Sequence, residues 1–308
     1  MESAALKRPE PALTEDAQMQ AAPVVAPPEL PIVEPKRTAL LRLATYGKRW
    51  FALHRVQLRT MLIGAISLGL FLLSWHLLTK YRVDMHIRFI NVPSPSKVFE
   101  SFSRVTSDAQ FAKHVMLSCR RIFFGFMLAT LVAVPLGLIM GRFRFARDVI
   151  FPVSEVLRPI PAIAWVPMSI MLWPSNEESI VFITFLGSFF PILLNTLHGM
   201  ATVEPVFVRA AQCLGAREMS IFRDVYFPAA LPNIFTGLTV GMGVAWVSLI
   251  AAEMISGQFG IGYFTWEAYS LVQYSDIALG MICIGVLGLG SSAIIRGVGR
   301  LVMPWSRA

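Results

Sequence analysis

The sequence predicts an all-α integral membrane protein with six transmembrane helices. Three observations carry that prediction. Of 308 residues, 55% are apolar and only 15% are charged, where a soluble domain carries about 25% charge. Mean hydropathy is +0.61. Six runs reach the length of about 20 apolar residues that crosses a hydrocarbon core as a helix. The same figures argue against a soluble enzyme. Glycine (21) and proline (20) stand near ordinary frequency and charge is scarce, which excludes collagen, coiled-coil and wholly disordered chains.

Residues 1–35 hold Pro9, Pro11, Pro23, Pro27, Pro28, Pro31 and Pro35 among Ala, Glu and Gln, which predicts a disordered tail. Residues 36–59 carry Lys36, Arg37, Arg42, Lys48, Arg49, Arg55 and Arg59 with no acid, nearly the whole net charge of +8. Leu40, Leu41, Leu43, Trp50, Phe51 and Leu53 recur there at helical spacing, as in an amphipathic helix lying on a membrane surface. This cluster directly precedes an apolar run. It therefore reads as a positive flank held inside the cell rather than as a nucleic-acid surface.

The six spans are placed at 60–79, 122–141, 149–173, 179–198, 234–256 and 277–302. The third holds Pro152, Pro159, Pro161 and Pro167, and these predict a bend or break within it. Between the first two spans, residues 80–121 form an outside segment. Val98, Phe99, Phe102 and Val105 give one face of an interfacial helix over 97–105. Residues 303–308 are a short tail.

Orientation follows from lysine and arginine in the short loops. The loop 142–148 holds Arg142, Arg144 and Arg147, and the loop 199–233 holds Arg209, Arg217 and Arg223. The loops 174–178 and 257–276 hold acids and no Lys or Arg. Both termini then face the cytoplasm, with 80–121 outside despite its eight basic residues. Cys119, Cys213 and Cys283 are too far apart for a metal site, and the histidines show no metal-ligand spacing. Gly137 with Gly141, and Gly237 with Gly241, have the spacing that lets helices approach closely in lipid.

The informative loop runs from Val203 to Pro232. Pro205 suits the first turn of a helix. Val206, Phe207, Ala210, Ala211 and Leu214 then share one apolar face, and Gly215 suits a left-handed cap. A second short helix with Ile221, Phe222 and Val225 on one side is predicted to close at Pro228 and Pro232. An apolar, small-residue face on a surface loop is built to dock against a partner.

These residues resemble the transmembrane permease subunits of ATP-binding-cassette importers, whose hallmark is E-A-A-x3-G-x9-I-x-L-P in a large cytoplasmic loop. Here Arg209-Ala210-Ala211 is followed after three residues by Gly215, and after nine more by Val225-Tyr226-Phe227-Pro228. The spacing matches throughout. Arg209 stands in place of the Glu, so a salt bridge made by that Glu does not carry over. The likeness extends over about residues 90–305, toward the branch that imports nitrate, sulfonates, taurine or bicarbonate. It is carried by VPSPSKVFESF (92–102), LSCRRIFFGFMLATLVAVPLGLIMGR (117–142), EVLRPIPAIAWVPMSIMLW (155–173), FPAALPNIFTGLTVGMGVAWVSLIAAEMISG (227–257) and GIGYFTWEAY (260–269).

The resemblance implies a type I importer permease fold in the bacterial inner membrane and a non-catalytic subunit. Two copies would form the path and two ATPase subunits would bind ATP and Mg. A periplasmic or lipid-anchored protein would deliver a small anion. The helix over 206–214 with Gly215 and Ala216 would be the coupling element, and Pro228 would close its motif. The chain has no Walker sequence, so no ATP site of that kind belongs to it.

Charges inside a span are candidates for function, because inserting one costs about 2.5–3.5 kcal/mol. Arg158 and Glu155 lie three apart in the third span, able either to pair with each other or to present Arg158 to an anion. Pro161 and Trp165 fall in the proline-broken stretch 158–167, the best candidate for cavity lining. Trp246 and Glu253 in the fifth span are further path candidates, set against ordinary helix packing. A secondary transporter would need paired repeats of broken helices, and a membrane enzyme a polar constellation within the spans. Neither pattern is visible in the sequence.

Overall fold

In lipid a backbone must close its own hydrogen bonds, and among the described residues it does so in eleven α-helices with no strand. The computed structural model describes residues 35–81, 91–256 and 258–307, with side chains from residue 58 to residue 305. The Pro-rich tail expected ahead of Pro35 lies outside the described residues. Two units are distinguished, Met1–Ser67 and Leu68–Ala308. The described part of the first is helix alone; the second holds the packed core.

The helices are α1 (Pro35–Lys80), α2 (Pro95–Thr106), α3 (Ala109–Arg142), α4 (Arg144–Leu157), α5 (Val166–Leu172) and α6 (Asn176–Ala201). They continue with α7 (Pro205–Cys213), α8 (Glu218–Ile221), α9 (Phe227–Ser256), α10 (Ile261–Ser270) and α11 (Tyr274–Val302). Among the described residues, five unbroken helical stretches are long and apolar enough to cross a membrane. The pair Arg144–Leu157 and Ala162–Leu172, bent by 84°, makes a sixth if counted as one span. This agrees with the expectation of six spans, the third one broken.

α6 is the centre, packed between α3 and α9. Lipid offers little hydrophobic drive for that packing, so close approach of backbones has to supply it. A Cβ on Gly137 would stand 2.7 Å from Thr196 Cβ, and one on Gly237 would stand 2.6 Å from Asn195 Cβ. Gly141 and Gly241 likewise face Met200 and Ile192 of α6. Both four-apart glycine pairs therefore seat their helices on the same central one. Ile183, Ile192, Leu193 and Leu249 are fully buried there.

Several boundaries differ from expectation. The backbone is helical from Pro35 to Lys80 with no break near residue 59, where the sequence predicts a surface helix and a separate span. α3 starts at Ala109 rather than near 122, so the end of the expected outside segment belongs to the helix. Its 34 residues extend about 51 Å, well beyond a hydrocarbon core of about 30 Å. Hydropathy misses this part because it is polar. α2 covers the expected helix and turns Val98 into the protein, leaving Phe99 and Phe102 exposed. Its Ser101 and Arg104 both bond Asp276 at the start of α11, Arg104 at 2.7 and 2.9 Å. α10 falls in the stretch 257–276 that reads as loop in the sequence.

The predicted second helix of the 203–232 loop is not separate. It runs through Phe222–Tyr226 into α9, making one helical stretch Glu218–Ser256. Residues Phe222–Tyr226 form a π turn, in which the Phe227 N–H bonds the Phe222 carbonyl. A proline ring meets the carbonyl four residues back in a regular helix, and a widened turn just before Pro228 is one way to fit it. Neither Pro228 nor Pro232 ends the helix.

Candidate functional site

Three arrangements bear on function. The first is the connection between α6 and α9. Pro205 opens α7, where its missing N–H costs nothing. At the other end the Gly215 N–H bonds the Gln212 carbonyl (2.9 Å) and the Ala216 N–H bonds that of Ala211 (3.0 Å). This is a Schellman cap, and Gly215 holds the left-handed position it needs at φ +76°. Apart from Gly215 itself and its chain neighbours, no atom lies within 4 Å of a Cβ built there, so the backbone angle, not crowding, requires glycine.

α7 turns its apolar residues outward. Val206, Phe207 and Leu214 are exposed, Leu214 to 88%, and Met219 beyond the cap is exposed as well. Arg209 and Ala210 are exposed, while Ala211 and Ala216 are half-buried. The chain beyond Met219 is anchored: Ile221 is buried, and Phe222 and Tyr226 pack on the cluster of Met200, Ala230, Leu231, Ile234 and Met303. Pro228 is half-buried inside the continuous helix. An ion pair from Arg142 to Glu218 ties the end of α3 to the start of α8. The result is a protruding apolar helix on a firmly seated base.

The second arrangement is the break in the third span. Arg158 caps α4 through its N–H to the Ser154 carbonyl (2.9 Å), after which Pro159 and Pro161 can donate nothing. Arg158 and Glu155 form an ion pair at 3.2 Å with both side chains partly exposed. Pro161 is exposed. Trp165 packs against the main core, and Trp246 is buried in that core with its indole N–H donating to Ser291 Oγ at 2.9 Å.

The third is a buried polar cluster around Glu253, whose side chain is 0% exposed. Ser118 Oγ donates to its carboxylate at 2.7 Å and accepts the Ile261 N–H at 2.9 Å. Arg121 Nη1 reaches Glu253 at 2.9 Å and also the Phe259 carbonyl. The Gly262 N–H donates to Glu253 Oε2 at 2.9 Å. Arg121 turns its remaining nitrogens to Glu177, which Arg120 also meets at 2.9 Å. The Gly260 N–H donates to His114 Nδ1 at 3.0 Å.

Four helices, α3, α6, α9 and α10, are joined there by charge and hydrogen bonds. Gly260, at φ +141°, and Gly262 lie so close to Glu253 that a Cβ on either would strike it or the Ile250 carbonyl. Glu253 thus meets groups of its own chain on every side. Sequence reasoning names Glu253 but misses Ser118, Arg121, Glu177 and His114. A signal exists: an acid at the end of one span needs a cation, and Arg120-Arg121 directly precedes the apolar run that starts at Ile122.

Residues 133–307 match the family model described as the binding-protein-dependent transport system inner membrane component. The chain belongs to that family. This permease chain is 32% identical over 249 residues to a nitrate import permease protein of Synechocystis, covering 78% of this chain and 88% of that one. It is 31% identical over 219 residues to a taurine transport system permease protein of Escherichia coli, covering 70% and 80%. Among solved structures it is similar to a chain of the MetNI methionine ABC transporter in an inward-facing conformation. There the TM-score is 0.51 at 16% identity, over 65% of this chain and 97% of that chain, which supports the fold alone. The family match takes in α7, the broken span and Glu253. Ser118 and Arg121, which enclose Glu253, lie before its first residue.

Proposed function

We propose that this permease is the transmembrane subunit of an ATP-driven importer of a small anion, of the nitrate, sulfonate or bicarbonate kind. The observation that carries the reading is α7: an exposed apolar face of Val206, Phe207 and Leu214, capped by Gly215, on an anchored base. Such a face is costly in water and sensible beneath a partner. Arg209, Ala210, Ala211 and Ala216 complete the surface that meets an ATPase subunit, and Pro228 fits the base to the membrane helix. Both termini and α7 lie on the cytoplasmic side.

Two copies of the chain line the path and two ATPase subunits hold ATP and Mg. A solute-binding protein delivers the anion from outside. Closure of the ATPase pair moves the two α7 helices together. The ion pair from Arg142 to Glu218 and the unbroken stretch Glu218–Ser256 carry that movement into α3 and α9. Arg158, Pro161 and Trp165 line the path at the broken span, where freed backbone groups are tolerated beside a cavity. Trp246 and Glu253 hold the surrounding helices in register. The anion class rests on the relatives named for nitrate and taurine and on the cation at Arg158.

Affinity purification of the chain from its native membranes, with uptake of labelled nitrate and taurine, tests this. An ATPase subunit is expected to co-purify and uptake to require ATP. Gly215→Pro, which forces φ near −65° where +76° is needed, should abolish the association, as should Phe207→Asp. A chain that purifies alone and transports without ATP would overturn the proposal.

A further inference from the structure

Two cavities adjoin where the first span ends and the last begins. One, about 540 Å³, is apolar and runs between α1 and α11, lined by Phe71, Trp75, Leu78, Ile277, Met281 and Ile282 among others. The other, about 770 Å³, is polar and holds His76, Lys80, Lys97 and Arg104. Asn91, Val92, Pro93 and Tyr274 line both, so the two form one crevice with an apolar arm and a basic mouth.

We propose that this crevice binds one anionic phospholipid, with an acyl chain in the apolar arm and the phosphate held by Lys80 and Lys97. Charge supports the choice. Arg104 is already neutralised by Asp276, at 2.7 Å. No carboxylate among the described residues pairs with Lys80 or Lys97. The mouth therefore keeps two cations, with His76 beside them.

Depth supports it too. Lys80 ends the first span and Tyr274 begins the last, so the mouth lies at headgroup level and the arm in hydrocarbon. The arm covers residues 71–78 of α1, about 10 Å of helix. Trp75 and Tyr274 at the junction are residues that favour a membrane interface. The Trp75 indole N–H donates to the Pro93 carbonyl at 3.1 Å, which pins the rim between the two parts. A soluble anion would use the mouth alone, exposed to screening by salt, and leave the apolar arm without a role.

The test uses the full chain, purified in detergent and examined by native mass spectrometry. Phosphatidylglycerol and phosphatidylcholine are titrated with and without excess inorganic phosphate. Phosphatidylglycerol should be retained about tenfold better than phosphatidylcholine, from two lysines near one phosphate, and excess phosphate should not displace it. Lys80→Glu with Lys97→Glu, at two exposed positions, should remove that preference. Ala278→Phe, filling the arm, should weaken both lipids. Lys97→Gln keeps most of the side-chain stem and should reduce the preference in part. Equal retention of the two lipids by the unaltered chain would overturn the proposal, as would a preference that survives charge reversal. Displacement by phosphate together with indifference to Ala278→Phe would assign the mouth to a soluble anion instead.

Discussion

Glu253 offers the sharpest test of how the bundle is held. Replacing it with leucine leaves the Gly262 N–H without its acceptor and the Ser118 hydroxyl without the carboxylate it donates to. Arg121, 1% exposed, loses one of its two acidic partners. Each stranded buried donor costs about 1–3 kcal/mol, and breaking a buried ion pair about 3–5 kcal/mol. These effects overlap, and Arg121 retains Glu177 and the Phe259 carbonyl. The net loss should therefore be about 3–5 kcal/mol, equivalent to about 6–20 °C in melting temperature at about 2–4 °C per kcal/mol. Thermal melting of the full chain in detergent, followed by tryptophan fluorescence, measures it. The double variant with Arg121→Met should be less destabilised than the sum of the two single variants, because no charge is then left alone. A melting temperature within about 1 °C of the parent for Glu253→Leu, or strict additivity in the double variant, would refute this account.

Two further outcomes can be checked. Gly262→Ala puts a Cβ 2.6 Å from the Ile250 carbonyl and 2.9 Å from Glu253 Cβ, and should cost about 1–3 kcal/mol by overpacking. Gly243→Ala, which meets open space inside α9, should not lower the melting temperature and should raise it slightly, because alanine favours a helix over glycine by about 0.5–1 kcal/mol; equal losses for the two would contradict the packing. Arg158→Ala removes a partly exposed charge whose ion pair among the described residues, at 3.2 Å, is with Glu155. It should lower anion uptake several-fold while assembly with the ATPase persists; unchanged uptake in a stable complex would remove Arg158 from the path.

Span number, the break at Pro159–Pro161 and the capped helix ending at Gly215 are all readable in the sequence. Each is a local property. An apolar run long enough to cross lipid needs no partner to be recognised. A missing N–H breaks a hydrogen-bond ladder where it stands, and an apolar stripe beside a glycine marks a helix face and its end. The boundaries that fail are those where the local signal changes while the structure does not. α3 continues back to Ala109 through a partly polar stretch, of which Ser118 and Arg121 are buried and bond α6, α9 and α10. α9 continues back through Pro228, because a π turn fits the ring.

A six-span helical membrane protein with a projecting apolar helix follows from the order of residues alone. Hydropathy, proline and glycine act over a few residues and need no knowledge of the rest. That Arg121, placed by sequence in an outside loop, encloses Glu253 across 132 positions of chain emerges only from the packing of the helices. Only the tertiary structure brought Lys80 and Lys97 to the mouth of a groove between the first and last spans. A charge in a low-dielectric interior is stable only beside its partner, and which partner arrives is set by how the helices pack.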